Sequence, residues 1–252
     1  MTIVSFPIGK RRFAPSWWWT LLTIAVCVLF VRLGNWQWDR GAHVQAEWDA
    51  FTRGTNVPMP LGARSLGSLP RYGHISVTGT WDAAHQFLID NRSHDGEAGY
   101  EVLTPLQLPD GRVLLVDRGW VAFTGSRARL PIITIQGTQA VSQAVSLAGR
   151  LDNPPVGGLA FGRAAPTTDS LWPKVTSFPT LAQLALALHH KVEPWMLLLD
   201  RASPDGYLRD WQPPGLSPLR HWSYALQWWL FAVTLLVFWV IMSIRRQEPR
   251  AS

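Results

Sequence analysis

Two stretches of this chain carry no charge, and the hydrophobic positions between them repeat with a different period. From Trp222 to Ile244 about 23 uncharged residues would rise roughly 34 Å as an α-helix, enough to cross a hydrocarbon core of about 30 Å. From Phe13 to Val31 about 19 uncharged residues predict a second spanning helix, Trp17 to roughly Leu33, with Arg32 snorkelling to the interface. The start of that helix argues against a cleaved leader. Its apolar region is overlong, it opens on Trp17, Trp18 and Trp19, and no small-x-small site precedes Arg32. The expectation is a retained anchor.

Between the spans lie roughly 180 residues, the size of one ordinary domain, and their texture is mostly β. Tyr72 to Thr80 alternates Ile75 and Val77 with His74, Ser76 and Thr78, as a half-buried strand does. Gln86 to Ile89 and Tyr100 to Leu108 continue the pattern. Pro109-Asp110-Gly111 then predicts a turn, with Gly111 free to take positive φ, leading into the buried strand Arg112 to Asp117. Ala144 to Leu151 and Trp195 to Leu199 read as further strands. Gly125 to Gln143 mixes turn residues with a short β-branched run, and Asn153 to Thr168 reads as a long Pro- and Gly-rich loop. Thr180 to His190 carries Leu181, Leu184 and Leu188 at helical spacing after the N-cap candidate Thr180. The predicted class is a membrane protein with two transmembrane α-helices flanking one α+β, mostly β, extracytoplasmic domain. Its segments are a basic tail (1–12), a span (13–35), the domain (36–218), a second span (219–244) and a second basic tail (245–252).

Charge orients this arrangement. Lys10, Arg11 and Arg12 precede the first span and Arg245, Arg246 and Arg250 follow the second, so the positive-inside rule puts both termini in the cytoplasm and the domain outside. Of 23 basic and 17 acidic residues the tails hold six basic and one acidic, leaving 17 against 16 between, so the net +6 is almost wholly a topology signal. No basic stripe interleaved with aromatics occurs in the middle, which argues against nucleic-acid binding. The single thiol, Cys27, lies within the first span, which excludes a dithiol oxidoreductase and a Cys-based metal site in the domain. No pair of histidines has the spacing of a helical metal site. No Gly-x-Ser-x-Gly or Ser-x-x-Lys motif supports a hydrolase, and the chain is not expected to be an enzyme.

Four motifs carry a likeness over nearly the full length. They are Leu33-Gly34-Asn35-Trp36-Gln37 with Arg40; Val77-Thr78-Gly79 with Asn91-Arg92 and Gly99-Tyr100 with Leu103-Thr104-Pro105; Asp110-Gly111 through Val116-Asp117-Arg118-Gly119-Trp120-Val121; and Arg220-His221-x-x-Tyr224-Ala225-x-x-Trp228. With them the chain resembles the Surfeit-locus (Shy-type) cytochrome c oxidase assembly proteins, which pair two terminal membrane helices with one domain on the outer side of the inner membrane. Arg127 to Thr168 adds little to the likeness beyond Gly149-Arg150-Leu151 and Pro154-Pro155, and Trp120 lacks the proline often seen after it in that family.

The resemblance implies an assembly factor that binds haem a and assists its insertion into subunit I of the oxidase. It would sit in a bacterial inner membrane as a multi-pass protein with a periplasmic domain, with the lipid bilayer, subunit I and haem a synthase as partners. His221, at the mouth of the second span, is the candidate iron ligand, and any metal would be held through haem alone. Tyr224, Ala225 and Trp228 share or flank its helix face. Trp36, Gln37, Arg40, Arg118 and Trp120 complete the candidate cofactor set, the arginines as partners for propionates.

Each of these residues also has a plainer reading. Ala225 and Ala232 suit close helix packing, Tyr224 and Trp228 an interfacial aromatic belt, and the arginines ordinary ion pairs; Trp120 suits a core, and His221 a polar helix end. Two functions therefore stand: a haem-handling assembly factor, and a haem-free scaffold stabilising oxidase assembly intermediates.

Overall fold

The computed structural model describes residues 6–8, 11–53, 57–135, 143–154, 165–213 and 215–246. Strands β1 (Phe6–Ile8) and β2 (Arg11–Phe13) lead into helix α1 (Trp17–Arg53). Then come β3 (Met59–Pro60), β4 (His74–Trp81), β5 (Phe87–His94), β6 (Glu97–Gln107), β7 (Val113–Ala122), β8 (Val145–Asp152) and β9 (Lys174–Thr176). Helix α2 (Leu181–Leu188), β10 (Val192–Leu199), helix α3 (Pro218–Ser243) and β11 (Ile244–Arg246) complete the order. The chain divides into a helical unit, Met1–Asp49 with Pro213–Ser252, and a β unit, Ala50–Gln212. Both divisions fall inside the stretch 36–218 that the hydrophobic pattern assigned to the domain.

In the helical unit, α1 and α3 are long and apolar enough to cross a membrane, with mean hydropathy 1.7 and 2.0. Only 11% of each apolar window is buried, so Leu22, Leu29, Leu230, Val237 and their neighbours present an apolar surface that lipid would cover. α3 begins where its sequence dictates: Ser217 is extended and Pro218 takes the first helical turn, where a missing N–H costs nothing. α1 does not stop near Leu33 as expected but continues to Arg53. Its second half is an amphipathic helix, with buried Gly41, Val44 and Phe51 and partly buried Trp48 at spacings of three and four, and with the Gln45 amide donating to Asp49 at 2.7 Å. A second feature absent from the hydrophobic pattern is a three-stranded sheet, β1-β2-β11, which joins the two tails.

The β unit holds an eight-stranded sheet in the order β3-β4-β8-β10-β7-β6-β5-β9, and a further pairing of β4 with β6 closes its central strands into a barrel. The predicted hairpin is present: β6 and β7 pair antiparallel, Leu108 N–H donates to the Arg112 carbonyl at 2.8 Å, and Gly111 has φ 84°. β7 and β10 are apolar on both faces because both faces are covered. Leu114, Val116, Leu197 and Leu199 enter one core with Ile75, Trp81 and Leu106. Leu115, Met196 and Leu198 enter another with Phe87, Leu184 and Leu188. α2 starts with a capping box between Thr180 and Gln183 and ends with His189 in the left-handed region. No strand forms over Ile132, Ile133 and Ile135; residues 136–142, like 155–164 of the predicted loop, lie outside the described residues.

Candidate functional site

The two helices bring together two candidates separated by 184 positions: His221 Nδ1 lies 2.9 Å from Gln37 Oε1. The amide oxygen can only accept, so Nδ1–H donates to it and Nε2 is the ring nitrogen left outside this contact. Nε2 has no hydrogen-bond partner among the described residues. An imidazole held through one nitrogen and open at the other is the arrangement that metal-ligating histidines use. The half-buried His221 sits in the first turn of α3 next to exposed Arg220, while exposed Arg40 stands one turn beyond Gln37 on α1. Neither arginine has an ion pair among the described residues.

Seven residues along α3 from His221, roughly 10 Å deeper into the span, Trp228 packs against Phe30 with ring centroids 5.6 Å apart. Phe231 contacts both rings. Tyr224 is 43% exposed on the same side of α3. Together these residues make an apolar aromatic wall below a polar mouth containing an imidazole and two guanidinium groups. Such a surface suits a flat amphiphile with an apolar ring and anionic edge groups.

The seam beside this wall follows the plainer reading of the small residues. Ala225 and Ala232 are buried, and Cys27 Sγ lies 3.6 Å from the Ala232 carbonyl. A Cβ on Gly34 would fall inside the Trp229 indole, and one on Gly41 inside that of Trp222. Trp38 touches both indoles, and Trp229 Nε1–H donates to Asn35 Oδ1 at 3.2 Å. Ala225 therefore lets the helices pack and leaves no vacancy for a ring.

Trp36 is 59% exposed in the helical unit, whereas Arg118 and Trp120 belong to the β unit. Arg118 is a buried hub. Its Nε donates to the Asp205 carbonyl at 2.7 Å, Nη1 to Gln86 Oε1 at 3.0 Å and to Thr104 Oγ1 at 3.4 Å, and Nη2 to the Thr134 carbonyl at 2.7 Å. Its guanidinium also faces Tyr207, 4.9 Å from the ring centroid, and burial lowers its pKa. The donors expected to meet propionates are engaged within the unit. Trp120 packs on His94, and its backbone pairs with Leu208. Arg92 takes the ordinary role of an interstrand ion pair, with Glu101 at 2.9 Å.

A model of the SURF1 family matches residues 24–233, which takes in most of α1, the first part of α3 and the whole β unit. The chain belongs to the SURF1 family. A SURF1-like protein of Dictyostelium discoideum is 32% identical over 108 residues, 38% of this chain and 40% of that protein, so the chain spans less than half the length of that relative. SURF1 proteins are associated with cytochrome oxidase assembly. In this SURF1 chain the resemblance motifs divide by role: Gln37, His221 and Trp228 converge within the helical unit, while Asp117-Arg118-Gly119-Trp120 builds the β unit. Sequence reasoning missed Phe30, Phe231, Trp38 and the Gly34 and Gly41 sockets. The signal was present, because Gly34 and Gly41, like Trp222 and Trp229, stand seven residues apart.

Proposed function

We propose that this chain is an assembly factor for cytochrome c oxidase that binds haem a and assists its insertion into subunit I, with haem a synthase as the source and the bacterial inner membrane as the setting. The observation that carries this reading is the Gln37–His221 hydrogen bond, which engages Nδ1 while Nε2 has no hydrogen-bond partner among the described residues. His221 would hold the iron through Nε2, and Gln37 keeps the imidazole in the ligating tautomer. Arg40 and Arg220 would pair with propionates at the water boundary, and Trp228, Phe30 and Phe231 offer the apolar wall. Haem, when bound, is cargo that redox chemistry elsewhere will use. The residues here bind, orient and release it, which requires the acceptor to bind it more tightly than the donor.

The packed seam at Ala225 and Ala232 favours a second reading, a haem-free scaffold that stabilises oxidase intermediates. Visible spectra of the protein purified from cells making haem a separate the two. The haem reading expects a Soret band in wild type, its loss in His221→Ala, and a roughly 10- to 100-fold weaker haem affinity in Gln37→Leu, where the ring is present but untethered. Wild-type protein that stays colourless yet co-purifies with subunit I would establish the scaffold.

A further inference from the structure

The tail sheet sets like charges against each other. In the β2–β11 ladder Arg12 stands directly opposite Arg245, and Arg11 opposite Arg246. Directly opposed like charges weaken an antiparallel pair, so an anion between the strands would stabilise this register. Arg12 and Arg245 are both exposed and have no ion pair among the described residues.

Arg245 also lines a cavity of about 270 Å³ between the ends of α1 and α3. Its wall is mixed: Trp19, Phe238 and Met242 are apolar, while Ser16, Thr23, Ser243 and Arg245 are polar. At the same end of the helices Phe13 meets Trp239 edge to face, and the Ala14 N–H donates to the Ser243 carbonyl at 2.8 Å. Arg245 is 24 positions from His221 along the chain, roughly 36 Å by helical rise, so this cavity and the imidazole lie at opposite ends of the helix pair.

We propose that the tail sheet and this cavity form a binding site for one anionic glycerophospholipid, with its phosphate between Arg12 and Arg245 and an acyl chain along Trp19, Phe238 and Met242. Bound lipid turns the repulsive Arg12–Arg245 pair into a bridge and joins the two tails. The inference rests on the helices spanning a membrane and is independent of haem.

The test is native mass spectrometry of the full chain in nonionic detergent, titrated with dioleoyl-phosphatidylglycerol or dioleoyl-phosphatidylcholine. Wild type should prefer the anionic lipid by about 30-fold, as expected for two arginine contacts. Arg12→Gln/Arg245→Gln should abolish the preference, and Arg12→Lys/Arg245→Lys should keep most of it. Phe238→Ala should weaken both lipids while leaving their ratio unchanged. If the glutamine variant does not purify, the wild-type preference must still fall in 0.5 M salt. Equal affinity of wild type for the two lipids, an intact preference in the glutamine variant, or displacement of the lipid by inorganic phosphate at equal concentration would overturn the proposal.

Discussion

Arg118 and Asp117 are adjacent and both buried, yet they differ in how well their charges are accommodated. Arg118 directs its donors at four oxygens, so Arg118→Met should remove four hydrogen bonds from a buried site, with Gln86 Oε1 keeping only the Thr104 hydroxyl and the Thr134 carbonyl only that of Tyr207, and destabilise the β unit by about 2–4 kcal/mol. Lysine should not rescue it, because a single ammonium cannot reproduce the guanidinium fork. Thermal unfolding checks this, and the visible spectrum of protein that folds should be unchanged. Asp117 is less well supported. Burial raises its pKa well above the usual carboxylate range and Glu101 pushes it further, against the Gly119 N–H at 3.0 Å and Arg92. A carboxyl whose folded pKa is raised holds its proton more tightly in the folded state. Its contribution is therefore best below the unfolded value of about 3.9 and is lost as pH rises through the folded value. Asp117→Asn can still accept from Gly119 and does not titrate, so its melting temperature relative to wild type should climb between pH 4 and 8. A difference that stays flat over that range would sink this account.

Among the elements, the α1–α3 seam is the clearest case of packing that composition conceals. Gly34 and Gly41 fit a transmembrane run without remark until the Trp229 and Trp222 rings are found where their Cβ atoms would be. Gly34→Leu should overpack the seam by roughly 1–3 kcal/mol. Trp229→Ala vacates the space, so the double variant should recover more than additivity allows, which a double-mutant cycle of unfolding in detergent measures. The strands were legible because alternation and turn chemistry act locally: Tyr72 to Thr80 and the Gly111 turn need no distant partner to be recognised. What escaped was set over long range or by short pieces. β3 and β9 have two and three residues, too few for a period, and the tail strands pair only because the helices bring the termini together. The far half of α1 carried a 3.6-residue pattern, hidden behind the change from apolar to polar at Asn35. At the site, His221 and Gln37 were both legible as candidates through the motifs that carry them, but their contact was not, because neighbours across an antiparallel helix pair are unrelated in sequence distance.

For the whole molecule, the decisive physical fact is that two helices leave their apolar windows uncovered at the ends of a chain whose surplus positive charge is confined to its tails. Exposed apolar surface of that extent calls for lipid, and the cost of moving arginines across a bilayer keeps Arg11, Arg12, Arg245 and Arg246 on the side of synthesis. The positive-inside rule therefore predicts that both helices cross, with the termini on one side and the residues between them on the other. The chain is well suited to a direct test because its one cysteine, Cys27, faces the seam and can be replaced by serine. In that background Ser126→Cys, on an exposed turn of the β unit, should react with a membrane-impermeant maleimide in cells whose outer barrier is permeabilised. Ser252→Cys should react only after the inner membrane is broken. Labelling of both positions in intact spheroplasts, or of neither, would refute the crossing. With the crossing in place, the imidazole of His221 and the paired arginines of the tail sheet must meet opposite faces of the bilayer, so loss of one ligand should leave binding of the other unchanged.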